Sequence, residues 1–477
     1  MKKYFVFAIF IATCMFFSTC TREDYLFLDQ EVTQKMDVPT DINDETFVSL
    51  QQATNVAKAF IGVQSTLKSA GTQKRIVSTE TIKDKENPSM YVMNYADGGW
   101  VIVGSTRNYY PILAYSDENS FELTEDMGPV TVWLEETKEA IRSSNALPDS
   151  VKFSMQAGWN NFETDGFQMP EASKLKGSDP ALDAYIARMN QVCQIYPSQG
   201  YNIFPPLSGA ASYIGPSNYN YIYQNAISCG ANPNYSIVVA KKENLRHPVG
   251  PLLATNWHQW APFNYYCNGY PAGCVTISLA QIMKFHQHPT AYNWGNMPNT
   301  VAEYFLPYTN YSTPSFIYGL GFILGLNYAT GSTGANDNNI KQALTIYDYS
   351  YTVANHNATD VLNEIVGNKR PVSMGGYTKQ TLGIPHGDGH QWVCDGSESY
   401  QYITKYFIEL QIGYSYVTYN WCGSASNPLF NVTQTGTNFH MNWGWANNCD
   451  GWYISNDVDS GNGNYQHGRT NFYIKPN

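Results

Sequence analysis

Four segments of this chain carry side chains able to form and aim a nucleophile. In Pro271-Ala272-Gly273-Cys274-Val275, Gly273 marks a turn, and Val275, Leu279 and Ile282 then recur at i, i+4 and i+7, one face of a helix. Cys274 therefore falls at a helix start, where unpaired N–H groups and the helix dipole favour a thiolate. The alternative is a buried structural cysteine. In Gly387-Asp388-Gly389-His390-Gln391-Trp392-Val393-Cys394, His390 opens a buried strand and can act as general base for a thiol. His386, on the glycine-rich side, is the weaker base. In Phe439-His440-Met441-Asn442-Trp443-Gly444-Trp445, Asn442 can accept from the base's ring N–H and fix its tautomer. Trp443 and Trp445 would shield that bond or wall a substrate cleft, unless they are core tryptophans of a strand. In Trp257-His258-Gln259-Trp260, Gln259 offers a neutral donor that suits, with the Cys274 N–H, an oxyanion hole.

The elements that must hold these groups belong to a long, acidic chain. Its 477 residues carry 28 Lys+Arg against 39 Asp+Glu, a formal charge of −11. That balance excludes a nucleic-acid binder, which needs a basic face. Apolar residues make up 43% and charged residues 14%, the reverse of a disordered chain. Aromatics reach 15%, with 37 Tyr, which suits wide, partly exposed β surfaces and clefts.

Residues 1–20 read as an address. Lys2 and Lys3 precede the apolar stretch Tyr4 to Phe17, too short to span a bilayer and laid out as a secretory signal peptide. Ser18-Thr19-Cys20 followed by Thr21-Arg22-Glu23-Asp24 resembles a bacterial lipobox, which would make Cys20 a lipidated N-terminus and attach the exported chain to a membrane. Beyond Cys14 and Cys20 seven cysteines remain: Cys193, Cys229, Cys267, Cys274, Cys394, Cys422 and Cys449. An odd number leaves at least one thiol unpaired, and the pairing is not readable. There is no C-x-x-C or H-E-x-x-H motif, and His286 with His288 lacks further ligands. No metal or other cofactor is expected.

Residues 21–45 form a tether, and 46–145 a small α+β module. Its helix runs from about Phe47 to Ala70, and strands flank Asp97-Gly98-Gly99 as a hairpin. A strand follows at Pro111–Tyr115, then a helix after Pro129, with Val132, Trp133, Thr137, Ala140 and Ile141 turned inward and Glu135 and Glu136 facing water. Residues 146–247 read as an irregular connector with a short helix over Leu182–Val192. Lys241, Lys242 and Arg246 lie exposed near its end, open to proteolysis. The chemistry lies in 248–477.

Together the four segments resemble the streptopain family of papain-like cysteine proteases. The likeness rests on Trp257-x-Gln259-x-x-Pro262-Phe263-Asn264, Gly273-Cys274-Val275 with Ala280-Gln281-Ile282-Met283-Lys284, Gly389-His390, and His440-x-Asn442-Trp443-Gly444-Trp445. The upstream module, with its Gly99–Val103 strand, is similar to that family's prodomain. The resemblance implies an α+β papain-like fold, with a helical part carrying the cysteine and an antiparallel β part carrying His390 and Asn442. It implies a zymogen held inactive by its own prodomain and acting on protein or peptide substrates. Cys274 would be nucleophile, His390 base, Asn442 orienting residue and Gln259 oxyanion donor, with Gly389 a backbone contact for substrate. Strand alternation would put Cys394 on the face of His390, as a packed thiol, a disulfide or a regulatory partner. Cys267, Cys422 and Cys449 depart from the family's pattern and are read as extra bridges. Two rivals remain: a surface adhesin lipoprotein on an inactive protease scaffold, and a Cys-His acyl-transferase.

Overall fold

The computed structural model describes residues 46–477 apart from 68–73, 126, 164–179, 198–199, 210–215, 231, 305–310, 332, 382–383, 413–417, 447 and 456–467. The signal peptide, the tether and Cys20 therefore lie outside the described residues, as does the side chain of His386. The chain opens with α1 (Leu50–Leu67), then β1 (Ile76–Asp84), β2 (Asn87–Tyr95), β3 (Trp100–Gly104) and β4 (Ile112–Ser116), followed by α2 (Val130–Ser143). Every residue of β3 is buried because the strand is covered on both faces. Trp100 and Ile102 pack with Val132 and Trp133 of α2, while Val101 and Val103 pack with Val56 and Phe60 of α1. A continuous apolar run, rather than alternation, is the pattern such a strand requires.

Two expectations fail next. Glu136 does not face water: it is fully buried and paired with Arg469. Nor is the connector irregular. It folds as α3 (Asp149–Phe162), α4 (Pro180–Ile195), β5 (Tyr201–Pro206), α5 (Pro216–Ser228) and β6 (Ile237–Val249). Scattered Asn, Ser and Tyr hid this, because the apolar positions of these elements find many of their partners far away in sequence: Trp159 and Phe162 pack with Phe60, and Val239 with Phe407. Ile222 and Ala226 of α5 pack with Val238, Ala240, Tyr406 and Ile408. Lys242 donates to the Glu163 carbonyl at 2.8 Å, and Arg246 is paired with Glu398 at 2.7 Å. Neither is a free, cleavable tip.

The second half brings α6 (Cys274–His286), α7 (Ser312–Ile323), α8 (Asp337–Ile346), β7 (Tyr349–Asn355), β8 (Val372–Thr381), β9 (Ile384–Ile412), β10 (Thr418–Cys422), β11 (Phe430–Asn442), β12 (Gly451–Ile454) and β13 (Thr470–Pro476). One sheet runs β1-β2-β3-β4-β12-β11-β9-β8-β13-β7, with β6 and β10 also on β9 and β5 on β6. Its described pairings are antiparallel. The long β9 serves two neighbours along one edge. Its first part pairs with β8 as far as Val372↔Cys394, and its second pairs with β6 from Val249↔Ser397 onward. The N-terminal module joins through Trp452↔Tyr115 and Tyr453↔Ala114, and residues 45–477 form one compact unit.

Glu398 sits at this junction. Its carboxylate accepts from Tyr115 Oη of β4 at 2.9 Å and from Asn438 Nδ2 of β11 at 3.0 Å, besides its bond to Arg246. The disulfide Cys229–Cys422 staples the connector to the end of β10. Cys193, Cys267, Cys274, Cys394 and Cys449 are free thiols, so of the three bridges expected at Cys267, Cys422 and Cys449 only that of Cys422 is present among the described residues.

Candidate active site

Helix α6 is buried on all sides from Val275 to Met283, more than the single apolar face its spacing predicts. Ser278 ties it to the sheet: its Oγ donates to the Trp392 carbonyl at 3.0 Å and meets Ser373 Oγ at 2.8 Å. The chain enters the helix through Gly273, at φ +91°, where a side chain would sit 2.8 Å from the Thr333 carbonyl. Only glycine fits this corner, and it delivers Cys274 to the first position of the helix. Burial pushes the Cys274 thiol up, against the pull of the N–H groups of Gln391, Val275 and Cys274 itself.

His390 arrives from β9, opposite Gly376 of β8. It and Cys274 line one cleft of about 410 Å³, together with Gly375, Gly376, Tyr377, Gly389, Gln391 and the Asn336–Asn338 turn. Gly389, expected to touch substrate, is thus a wall of this cleft. Several of the lining residues are glycines, which leaves room for an extended backbone. Cys394 is not on the cleft; it is buried in the core with Trp392 and Met441.

Gln259 is not among the residues lining this cleft, but its backbone packs on the chain that leads to the nucleophile. Its carbonyl accepts from the Ala272 N–H at 2.8 Å, two residues ahead of Cys274. Asn442 is placed differently from expectation. Its Oδ1 accepts from Gln281 Nε2 at 3.0 Å and from the Gly444 N–H at 3.1 Å, and its Nδ2 donates to the Thr255 carbonyl at 2.8 Å. The side chain is committed to these groups rather than to His390. Trp443 is a core residue, donating to the Cys449 carbonyl at 3.1 Å and packed 5.2 Å from Trp392. Trp445 is half-buried, with Gly128 of the N-terminal module set against its ring.

Sequence reasoning missed two features. Gln281 is fully buried on α6 and bonds both Asn442 and, through Oε1, the Trp257 N–H at 3.1 Å. It ties together the cysteine helix, the Gln259 segment and the Asn442 strand. A polar residue seven places into an apolar helix was the available signal. The second is a pocket of about 380 Å³ between Ser116–Asn119 and Asp395, His440, Asn442 and Asp450. His440 Nδ1 lies 2.6 Å from Asp395 Oδ1. Burial opposes charge on His440, but Asp395 outweighs it and the imidazole is raised. Burial pushes Asp450 up to about 7, against the Trp443 N–H and His440. Only the strand pairing brings these groups together.

Residues 45–141 match the family described as Spi protease inhibitor. Residues 290–453 match the Peptidase C10 family, a span that includes His390 and Asn442 and begins after Cys274. Comparison with curated proteins finds no match. Among solved structures, fragment 39–359 of Prevotella intermedia prointerpain A, in a cysteine-to-alanine mutant, is similar at 16% identity, covering 83% of this chain and 98% of that one with a TM-score of 0.40. The chain thus carries a segment of the Spi protease inhibitor type ahead of a segment of the Peptidase C10, or streptopain, family.

Proposed function

We propose that the chain is an exported cysteine endopeptidase made as a zymogen. The observation that carries this reading is that Cys274, at the head of α6, and His390, from β9, line the same cleft. His390 takes the thiol proton, and the thiolate attacks a peptide carbonyl. Gln259 and the Cys274 N–H then steady the tetrahedral oxyanion, His390 protonates the leaving amine, and water hydrolyses the thioester. Asn442 turns to the imidazole in the active form and meanwhile rests on Gln281. A thiol raised by burial supports assigning the described conformation to the latent state. The leader supports export, with a lipid on Cys20 as its anchor.

The test is release of new N-termini from casein by the full chain. Cys274→Ala and prior thiol alkylation should each abolish it. Undiminished cleavage by the Cys274→Ala chain would reject the assignment.

A further inference from the structure

Beside the cleft lies a surface made almost wholly of tyrosine. Tyr265 is 59% exposed and Trp260 46% exposed, and Tyr266, Tyr270, Tyr311 and Tyr318 are exposed with them. Four of these rings adjoin one another. Tyr265 lies 5.0 Å from Tyr266 and 4.9 Å from Tyr311, and Tyr266 lies 6.2 Å from Tyr318. These rings come from two stretches of the sequence, 251–283 and 304–336, and neither contains an Asp, Glu, Lys or Arg. Exposed aromatic patches of this kind mark interaction sites, and tyrosine supplies large contact area at small entropic cost.

The patch is tied to the segment that delivers Cys274: Tyr318 stacks 5.5 Å from Tyr328, whose Oη donates to the Ala272 carbonyl at 3.0 Å. Trp260 follows Gln259 directly, and Tyr270 stands four residues ahead of Cys274. The Tyr270 ring lies against Gly331, whose loop runs on into the cleft wall at Gly334–Asn338. The absence of formal charge from both stretches selects an uncharged partner. Proline-bearing segments suit an aromatic platform best, because their extended conformation is preformed and little entropy is lost on docking.

We propose that this tyrosine platform is an exosite that holds an uncharged, proline- and aromatic-bearing stretch of the substrate polypeptide outside the cleft. The proposal rests on the cleft being the peptidase site, and the experiment separates the two. Three peptides share one cleavable core: the core alone, the core with a Pro/Tyr flank, and the core with a Gly/Ser flank. With the full chain taken through maturation, the Pro/Tyr flank should raise kcat/KM about tenfold over the Gly/Ser flank, through KM. Tyr265→Ser with Tyr311→Ser should remove that gain and leave the core peptide unaffected, while Tyr265→Phe with Tyr311→Phe should keep most of it. Equal turnover of the two flanked peptides by the unsubstituted chain would overturn the exosite, as would an equal loss on core and flanked peptides in the serine variant. Calorimetric titration of the Pro/Tyr flank alone into the full Cys274→Ala chain tests the platform without catalysis. Saturable binding lost in the serine background supports it, and no binding overturns it. Failure to cleave even the core peptide would instead overturn the peptidase reading.

Discussion

Glu136 and Arg469 form an ion pair with both side chains closed off from solvent. Arg469 Nε donates to Glu136 Oε1 at 3.2 Å, and its guanidinium lies 5.8 Å from the Trp392 ring centroid. Glu136 belongs to α2 of the inhibitor segment, whereas Arg469 immediately precedes β13 of the peptidase. Next to the pair, Val132 of α2 lies against Gly376, a wall of the Cys274–His390 cleft. The inhibitor thus packs on the reverse of the cleft wall and fastens there by a buried charge pair.

Removing one partner of such a pair strands the other charge, at about 3–5 kcal/mol. Glu136→Ala should therefore lower the denaturation free energy of the unprocessed chain by about that amount and speed its maturation. The processed enzyme, freed of α2, should keep its full turnover. Denaturant titration of the two forms, each with and without the substitution, checks this. An unprocessed chain as stable as before would show that the pair is not a fastening.

Gln281 gives a second prediction. Its amide accepts from the Trp257 N–H and donates to Asn442, so it couples the segments of Cys274, Gln259 and Asn442 without lining the cleft. Gln281→Leu should leave the buried Trp257 N–H without its acceptor, at about 1–3 kcal/mol, and free Asn442 Oδ1 to the Gly444 N–H alone. Because the cost falls on alignment, kcat on a short peptide should drop about 10–100-fold with KM little changed. A rise in KM at constant kcat would reassign Gln281 to substrate binding.

How much of this was legible beforehand follows from the range of the interactions involved. Helix α1, the β2–β3 hairpin and α2 are set by local spacing, and each lies where the periodicity puts it. Cys274 and His390 were readable because each sits in a short segment with its own turn glycines. Glu136 was misread because a glutamate beside Glu135 looks solvated until a chain end more than three hundred residues away supplies Arg469. The connector was misread for the same reason, since β6 finds its partner in the distant β9. The spacing around Asn442 points it to the imidazole and does not announce Gln281, which holds it in the described conformation.

The pocket holding Asp450 predicts a pH dependence. The folded chain keeps this carboxyl protonated up to about 7, whereas an unfolded chain releases the proton near pH 4, by about the reference value. The folded state then binds the extra proton between those limits, so the stability this group contributes is complete below about pH 4 and is lost as pH rises to 7. His440, raised by Asp395 against its burial, acts in the same direction, and Asp395 and Glu118 add like-charge repulsion to ionised Asp450. The Tm of the unprocessed chain should be higher at about pH 5 than at about pH 7.5. Asp450→Asn, which retains an acceptor for the Trp443 N–H, should flatten the difference; an unchanged slope would place the titration elsewhere.

The disulfide Cys229–Cys422 constrains where maturation can cut. A cut near Lys241, Lys242 or Arg246 would fall between the two half-cystines, leaving the inhibitor-bearing fragment covalently tied to the peptidase. It would also break β6, whose ladder with β9 runs from Ile237↔Glu409 to Val249↔Ser397, and expose the apolar residues Val238 and Ala240 buried beneath it. A cut ahead of Cys229 avoids both costs and releases the inhibitor without reduction. N-terminal sequencing of the active enzyme should therefore find a first residue before Cys229, with the catalytic fragment of one size on reducing and non-reducing gels. A mature N-terminus near residue 248, or a fragment freed only by reductant, would mean that the connector is discarded and its packing against β9 is a property of the zymogen alone.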